Sequence, residues 1–236
     1  MTDRKAELAA NLARVEERIA ASCAAAGRPR EDVTLVVVTK TYPASDVRIL
    51  RELGVRHVAE NRDQDAAPKA AACADLSLAW HFVGQLQTNK VRSVTSYADI
   101  VQSVDRPKLV TALSAAAVRG ERELGCLIQV ALDAESGERG GVAPDGVEEL
   151  ADAIAGAPGL RLGGLMTVAP LAGEYAGRQR AAFERLMEIS SRLRSAHPAA
   201  NMVSAGMSGD LEDAVAAGAT HVRVGTAVLG VRPRLG

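Results

Sequence analysis

The stretch Val33-Thr34-Leu35-Val36-Val37-Val38-Thr39-Lys40 decides the fold, because a run of apolar and β-branched residues ends there in a lysine. Such an unbroken run is typical of a strand buried on both faces, as in parallel sheets. After Val38 the apolar run gives way to the turn Thr39-Lys40-Thr41-Tyr42-Pro43. The pattern therefore predicts that the Lys40 amine emerges at the carboxyl edge of a sheet, where α/β proteins hold their functional groups.

Similar short runs recur to the end of the chain, and nearly every gap between them carries a helical pattern. Strands that alternate with helices pair in parallel. The predicted strands lie at 33–39, 56–59, 79–83, 98–102, 124–132, 160–167, 201–204 and 220–224. The predicted helices lie at 44–53, 62–73, 86–95, 106–119, 145–156, 175–196 and 208–217.

About eight strand–helix units in 236 residues favour an α/β fold with a single domain over 1–236, a closed (β/α)8 barrel of the TIM type. An open doubly wound sheet is the alternative. The loops at 134–144 and 168–175 are typical of barrel loops enlarged around a site. No linker rich in Gly, Ser or Pro divides the chain.

The first 26 residues predict an extra N-terminal helix. Leu8, Leu12, Val15 and Ile19 recur at helical spacing among acidic residues, which is typical of an amphipathic surface helix and not of a targeting segment. No stretch approaches the roughly 18 apolar residues that a membrane span needs. We therefore expect a cytoplasmic protein.

Charge and cysteine content exclude several classes of protein. A formal net charge of −1 supplies no positive field for nucleic acid and no basic face for anionic lipid, so we expect neither partner. Cys23, Cys73 and Cys126 are far apart and form no Cys-x-x-Cys pair, which predicts three unpaired, buried thiols. We predict no metal site.

Polar residues and glycines gather where the predicted strands end. The turn 204–209 opens into the predicted helix at 208–217, and Gly225-Thr226 opens the final turn. Backbone N–H groups at a helix start suit a phosphate, and in barrels the loops after strands seven and eight frequently build such a site. Ser208 as a plain helix N-cap is the alternative for that residue. The pattern predicts a phosphate site at strands seven and eight.

An amine after strand one, opposite a phosphate site, predicts a phosphorylated carbonyl ligand held as a Schiff base. Pyridoxal 5′-phosphate fits this description. Arg223 shares side-chain parity with Gly225, so both face the same side of the last strand. An exposed lysine that merely follows a strand is the alternative for Lys40.

These positions belong to longer motifs that cover almost the whole chain. The motifs are Val-Val-Thr-Lys-Thr-Tyr-Pro at 37–43, Ala-Glu-Asn-Arg at 59–62, His-Phe-Val-Gly-Gln-Leu-Gln-Thr-Asn-Lys at 81–90, Gly-Leu-Met-Thr-Val-Ala-Pro at 164–170, Ser-Ala-Gly-Met-Ser-Gly-Asp at 204–210 and Val-Arg-Val-Gly-Thr-Ala-Val-Leu-Gly at 222–230. On these motifs the chain resembles the pyridoxal phosphate homeostasis proteins, the YggS/PROSC-like group. The fold of that group is similar to the N-terminal barrel of alanine racemase.

The resemblance implies a cofactor site for pyridoxal 5′-phosphate. Lys40 would hold the cofactor as a Schiff base, Arg223 would face the pyridine nitrogen, and Asn61 would lie near the ring. The phosphate would be held by Ser204, Gly225 and Thr226. His81 and Lys90 also match the family, and we assign them to structure and surface because neither has a visible chemical partner.

The resemblance implies a carrier or buffer more than a catalyst, and we assign no catalytic residue. The resembling racemases draw a second base, a tyrosine, from a further domain, and none of Tyr42, Tyr97 and Tyr175 has a clear place opposite Lys40. We expect a role in intracellular pyridoxal phosphate homeostasis and in amino-acid or keto-acid balance. The alternatives are an amino-acid racemase, a Schiff-base aldolase of phosphorylated carbonyl substrates, and a scaffold without a ligand. We expect a monomer or weak dimer, with transient contact to enzymes that accept the cofactor.

Overall fold

The computed structural model of the protein describes residues 3–132 and 140–230. Within these residues, eight parallel strands pair in chain order, and the last pairs with the first to close a barrel. The strands are β1 Thr34–Val38, β2 His57–Glu60, β3 Ala79–Phe82, β4 Ile100–Val104, β5 Leu124–Gln129, β6 Leu160–Met166, β7 Met202–Ser204 and β8 His221–Val224. This closure confirms the predicted barrel and excludes the open sheet. Of the predicted loop 134–144, residues 134–139 lie outside the described residues.

Helices precede β1 and follow most of the strands. They are α1 Arg4–Ala25, α2 Ala44–Glu52, α3 Asp63–Ala72, α4 Val91–Tyr97, α5 Pro107–Arg119, α6 Val147–Ala155, α7 Gln179–Ala196, α8 Leu211–Ala217 and α9 Thr226–Leu229. Helix α8 begins three residues later than the sequence predicts, with Asp210 at its N-cap position. The alternative that made Ser208 the N-cap is therefore wrong.

Helix α1 is the predicted extra N-terminal helix. Asp3 caps it by accepting a hydrogen bond from the Lys5 backbone N–H, and one apolar stripe faces the barrel wall. Its buried residues include Leu8, Val15 and Ile19, which join the cluster that also holds apolar side chains of β1 and β8. The stripe therefore joins α1 to the part of the core outside the first and last strands. No helix among the described residues is long and apolar enough to cross a membrane.

Side-chain alternation along the strands separates the outer core from the barrel interior. Val37, Val58 and Val222 pack outward in that same cluster. Their neighbours, among them His57 and Arg223, therefore point inward. By the same alternation, the residues that continue β1, β2 and β8 past their ends reach the mouth of the barrel on the inner side: Lys40, Asn61 and Gly225.

The cysteines Cys23, Cys73 and Cys126 are buried and free, as predicted.

Candidate functional site

Lys40 lies at the carboxyl end of β1, as predicted, and its side chain is exposed. It makes no hydrogen bond or ion pair with any described residue. The next residue, Thr41, has φ of +77°. A β-branched residue adopts this left-handed region only at a cost, and such strain concentrates at functional sites. The backbone therefore turns sharply just after Lys40 and leaves its amine free at the mouth.

A buried ion pair holds the backbone just before Lys40. Lys69 on α3 donates from Nζ to the Thr39 carbonyl oxygen at 2.8 Å and to Glu60 Oε1 at 2.5 Å. The Thr39 hydroxyl donates to the same Glu60 oxygen at 2.7 Å. The Glu60 side chain is fully buried and that of Lys69 is 7 % exposed, so both charges depend on each other for solvation. The pair ties the ends of β1 and β2 to the helix behind them.

Asn61 follows β2 at the mouth, on the strand that pairs with β1; its contact with the cofactor ring stays a prediction. Its position depends on Gly84, because the two backbones approach closely. A Cβ atom on Gly84 would stand 2.0 Å from the Asn61 carbonyl oxygen. Only glycine permits that approach without moving one of the two loops.

Gly84→Ala is therefore expected to lower the free energy of unfolding by about 1–3 kcal/mol, since the obstructing atoms are backbone and cannot rotate away. Urea unfolding followed by circular dichroism measures this change. Gly209→Ala is the matched control, because a Cβ there meets nothing within 4 Å; it should change little or stabilise by up to about 1 kcal/mol. Equal stability of the two variants would show that the Asn61 loop does not depend on this approach.

The predicted phosphate residues at β8 lie next to β1. Pairing aligns Val37 with Val224, and a Cβ on Gly225 would stand 3.2 Å from the Val38 carbonyl oxygen. Gly225 and Thr226 therefore follow β8 on the same rim as Lys40, on the neighbouring strand. The sequence placed the amine opposite the phosphate site; barrel closure makes them neighbours instead.

Arg223 is a buried cation with no carboxylate in ion-pair contact among the described residues. Its side chain donates from Nη1 to Ser204 Oγ at 2.7 Å and from Nη2 to the Thr167 carbonyl oxygen at 2.8 Å. Desolvation lowers the pKa of Arg223 to about 10, while the charge of Asp210 acts in the opposite direction. The group stays protonated at neutral pH and keeps three N–H bonds without a described acceptor. A buried cation of this kind is stabilised by a ligand that accepts hydrogen bonds.

Ser204 points into the barrel at the end of β7, where its hydroxyl already has two partners. It accepts from Arg223 and donates to Gln102 Oε1 at 2.7 Å. A contact from this hydroxyl to a phosphate would compete with Gln102.

Ser208, on the loop after β7, is half-buried and its hydroxyl has no hydrogen bond among the described residues. Once the N-cap alternative is removed, Ser208 is a second candidate for the phosphate.

His81 is buried inside β3, as its assignment to structure predicts, but it does have chemical partners, one on each ring nitrogen. His57 Nδ1 lies 3.0 Å from His81 Nε2, and Gln102 Nε2 lies 2.8 Å from His81 Nδ1. Polar residues at inward-facing positions of the strands were the only sign in the sequence of these His81 contacts. Side-chain alternation alone does not reveal which of those residues meet across the barrel.

Lys90 is half-buried and makes no described ion pair. It lines a groove of about 500 Å³ that also touches Asn61.

The hydroxyls of Tyr42 and Tyr97 engage in contacts outside the barrel interior. Tyr42 donates to the Gly230 carbonyl oxygen, and the Tyr97 hydroxyl lies 3.5 Å from Asp63 Oδ1. Burial raises the pKa of Tyr97, as does the nearby charge of Asp63. Tyr175 lies in the loop between β6 and α7. Tyr42 and Tyr97 therefore place no second base beside Lys40.

The barrel and its mouth define a domain of the alanine racemase N-terminal type. The family model for that domain, described as "Alanine racemase, N-terminal domain", matches residues 8–233. An alanine racemase of Clostridium difficile shares the fold with a TM-score of 0.71 and 15 % identity, over 97 % of this chain and 58 % of that chain.

Proteins with higher sequence identity to this chain define its family more narrowly. A protein of Mycobacterium tuberculosis named pyridoxal phosphate homeostasis protein is 43 % identical over 98 % of this chain and 95 % of its own length. The solved structure of PipY from Synechococcus elongatus, described with PLP bound, has a TM-score of 0.81 and 32 % identity over 94 % of this chain and 100 % of that chain. The chain belongs to the pyridoxal phosphate homeostasis protein family.

Proposed function

We propose that this protein binds pyridoxal 5′-phosphate on Lys40 and acts in the intracellular supply of that cofactor. One observation carries the proposal. The exposed Lys40 follows β1, the buried Arg223 lies near the end of the neighbouring strand β8, and among the described residues Lys40 has no hydrogen-bond partner and Arg223 has no carboxylate in ion-pair contact. The amine suits an aldehyde, and the guanidinium suits an acceptor such as a pyridine nitrogen. PipY, with its bound PLP, supports the same ligand.

In this proposal the cofactor contacts are those predicted from the sequence. Lys40 bonds to the aldehyde carbon, Arg223 donates to the pyridine nitrogen, and Asn61 lies beside the ring. The phosphate is held by the residues that follow β7 and β8: Ser204, Gly225 and Thr226, with Ser208 as a further hydroxyl. The absence of a side chain at Gly225 leaves its backbone accessible, which a close phosphate contact requires.

Arg223 also bears on what the bound cofactor does. When bound, pyridoxal 5′-phosphate supplies an electron sink for reactions of amino acids. A guanidinium keeps its own proton and therefore leaves the pyridine nitrogen unprotonated, which weakens that sink. Together with the engagement of Tyr42 and Tyr97 elsewhere, this favours a carrier or buffer in amino-acid and keto-acid balance over a racemase or an aldolase.

A carrier must exchange its cofactor with acceptor enzymes. Leu171, in the loop after β6, is 74 % exposed, and Met207, in the loop after β7, is 40 % exposed. Both loops follow strand ends at the mouth, so two apolar side chains stand where an acceptor would approach. We place this transient exchange in the cytoplasm and assign the protein no nucleic-acid or membrane partner; we propose a monomer or weak dimer.

The purified wild-type chain tests the proposal directly. Added pyridoxal 5′-phosphate should produce the visible absorbance of a Schiff base, and borohydride should fix one pyridoxyl group per chain. Mass spectrometry of peptides should locate that group on Lys40. A protein that stays colourless with added cofactor would favour the scaffold alternative, and reduction onto another lysine would refute the proposed site.

A second comparison decides which serine contacts the phosphate. Ser208→Ala and Ser204→Ala are each titrated with pyridoxal 5′-phosphate and with pyridoxal, which lacks the phosphate. The variant that removes a phosphate ligand should bind the phosphorylated form about tenfold or more weakly, because a hydrogen bond to a charged group contributes roughly 1.5–3 kcal/mol. Its affinity for pyridoxal should change little. An equal loss with both compounds would assign that serine to ring positioning instead.

A further inference from the structure

A hydrogen-bonded chain crosses the barrel interior from the mouth to the opposite end. It begins at Arg223 on β8, passes through Ser204 on β7 and Gln102 on β4, and continues through His81 on β3 to His57 on β2. Its links measure 2.7 Å, 2.7 Å, 2.8 Å and 3.0 Å in that order. Every member except His57, which is half-buried, is at most 4 % exposed.

The chemistry of Arg223 fixes the direction of this chain. A guanidinium only donates, so Ser204 Oγ must accept from it and is free to donate its own hydrogen to Gln102 Oε1. The Gln102 amide nitrogen then donates to His81 Nδ1. With Nδ1 accepting, His81 carries its proton on Nε2 and donates it to His57 Nδ1. Each of the three middle groups therefore donates once and accepts once.

The reverse orientation of the Gln102 amide is less favourable. Its nitrogen would then donate to Ser204 Oγ, which already accepts from Arg223, and the Ser204 hydrogen would lose its acceptor. A buried hydroxyl without an acceptor destabilises the folded state. Fixed at one end by a cation, the whole chain has a single satisfied direction.

The surroundings keep both histidines neutral. Burial is the main cause that lowers the pKa of His81 well below its ordinary value, and the neighbouring His57, His221 and Arg223 disfavour a further positive charge there. Burial and Arg56 lower the pKa of His57, against the opposing charge of Asp99. At neutral pH each ring therefore has one donor and one acceptor nitrogen, as the chain requires.

We propose that Gln102 and His81 are positioning residues of the cofactor site. Neither residue reaches the mouth. His81 fixes the orientation of the Gln102 amide, and Gln102 in turn fixes the orientation of the Ser204 hydroxyl. The Ser204 hydroxyl and the Thr167 carbonyl oxygen then orient Arg223. The chain orients groups and does not conduct protons, because an amide side chain is a poor proton carrier. The link to the cofactor rests on the proposed function, whereas the direction of the chain does not.

Histidine tautomers in the wild-type protein test the direction without any ligand. In long-range proton–nitrogen correlation spectra of protein labelled with ¹⁵N-histidine, His81 and His57 should both be neutral at pH 7 with the proton on Nε2. A proton on His81 Nδ1 in the wild type would overturn the proposal. This measurement needs no variant to fold.

Gln102→Glu should move that proton. A carboxylate accepts from Ser204 as before but cannot donate to His81, so His81 Nδ1 must become protonated and donate to it. The resonances of His197, which contacts Asp152 on the far side of α6, should not move and provide the control. An unprotonated His81 Nδ1 in folded Gln102→Glu would overturn the chain.

Cofactor affinity tests the positioning role separately. Gln102→Leu removes the acceptor that fixes the Ser204 hydroxyl beside Arg223, so Arg223 loses its orientation toward the ring and pyridoxal 5′-phosphate should bind about tenfold more weakly. If the released Ser204 hydroxyl turns to the phosphate instead, Gln102→Leu should bind more tightly than the wild type, and that result would refute the positioning role. Gln102→Glu restores that acceptor and should bind more tightly than Gln102→Leu. Equal affinities for the wild type and Gln102→Leu would refute the positioning role. A wild-type protein that binds no pyridoxal 5′-phosphate would instead refute the proposed function, and the tautomers would still decide the direction of the chain.

Discussion

Lys40→Ala is expected to abolish the Schiff base with pyridoxal 5′-phosphate while leaving the fold intact. The variant removes the only amine that β1 presents at the mouth, so the visible band and the borohydride-fixed adduct should both disappear. Lys40 is exposed and makes no described hydrogen bond, so stability should change by no more than about 0.5 kcal/mol. Absorbance titration and thermal unfolding measure the two outcomes.

Two further variants show whether the amine itself is responsible. Lys40→Arg keeps the positive charge but cannot form the bond, so it should lose the band as completely as Lys40→Ala. Lys108→Ala removes another exposed lysine, on α5, and should retain the full band. If Lys40→Ala still yields a reduced adduct, a different lysine holds the cofactor and the site at β1 and β8 is not where the Schiff base forms.

The local sequence pattern was sufficient to predict the barrel and the residues at the carboxyl ends of its first and last strands. The run at 33–40 ends in Lys40, and the Gly225-Thr226 pair follows the last strand; each prediction depends on a few adjacent residues. The family resemblance also came from such local motifs, and the relatives confirm it.

Contacts across the barrel could not be predicted in the same way. Whether the Ser204 hydroxyl meets a ligand or Gln102 depends on the register of β7 against its neighbours and on a side chain 102 residues away. The sequence gives no local sign of either. The pairing of Glu60 with Lys69 is closer in sequence, but it requires knowing that α3 brings Lys69 to the ends of β1 and β2. The sequence therefore predicts the residues at the strand ends but not the side chains, such as Gln102 and Lys69, that hold those residues in place.

Lys69→Met is expected to lower the free energy of unfolding by about 3–5 kcal/mol, because it leaves the fully buried Glu60 carboxylate without its counter-charge. Glu60 Oε2 already has no hydrogen bond among the described residues. In Lys69→Met, Glu60 Oε1 would keep only the hydrogen bond from the Thr39 hydroxyl. Guanidinium unfolding followed by circular dichroism measures the loss. Lys5→Met, which breaks an exposed ion pair with Glu52 on the surface, should shift the midpoint little.

The double variant Lys69→Met/Glu60→Leu separates the cost of a lone charge from the worth of the pair. Apolar residues of similar volume often replace a buried ion pair without loss, so the double variant should recover much of the stability that Lys69→Met loses. It should nevertheless bind pyridoxal 5′-phosphate more weakly than the wild type, because the Thr39 carbonyl oxygen, next to Lys40, has lost its donor. Full recovery of both stability and affinity would show that the pair does not position Lys40. Full stability with reduced affinity would show that a buried salt bridge is kept here for the placement of one amine and not for folding.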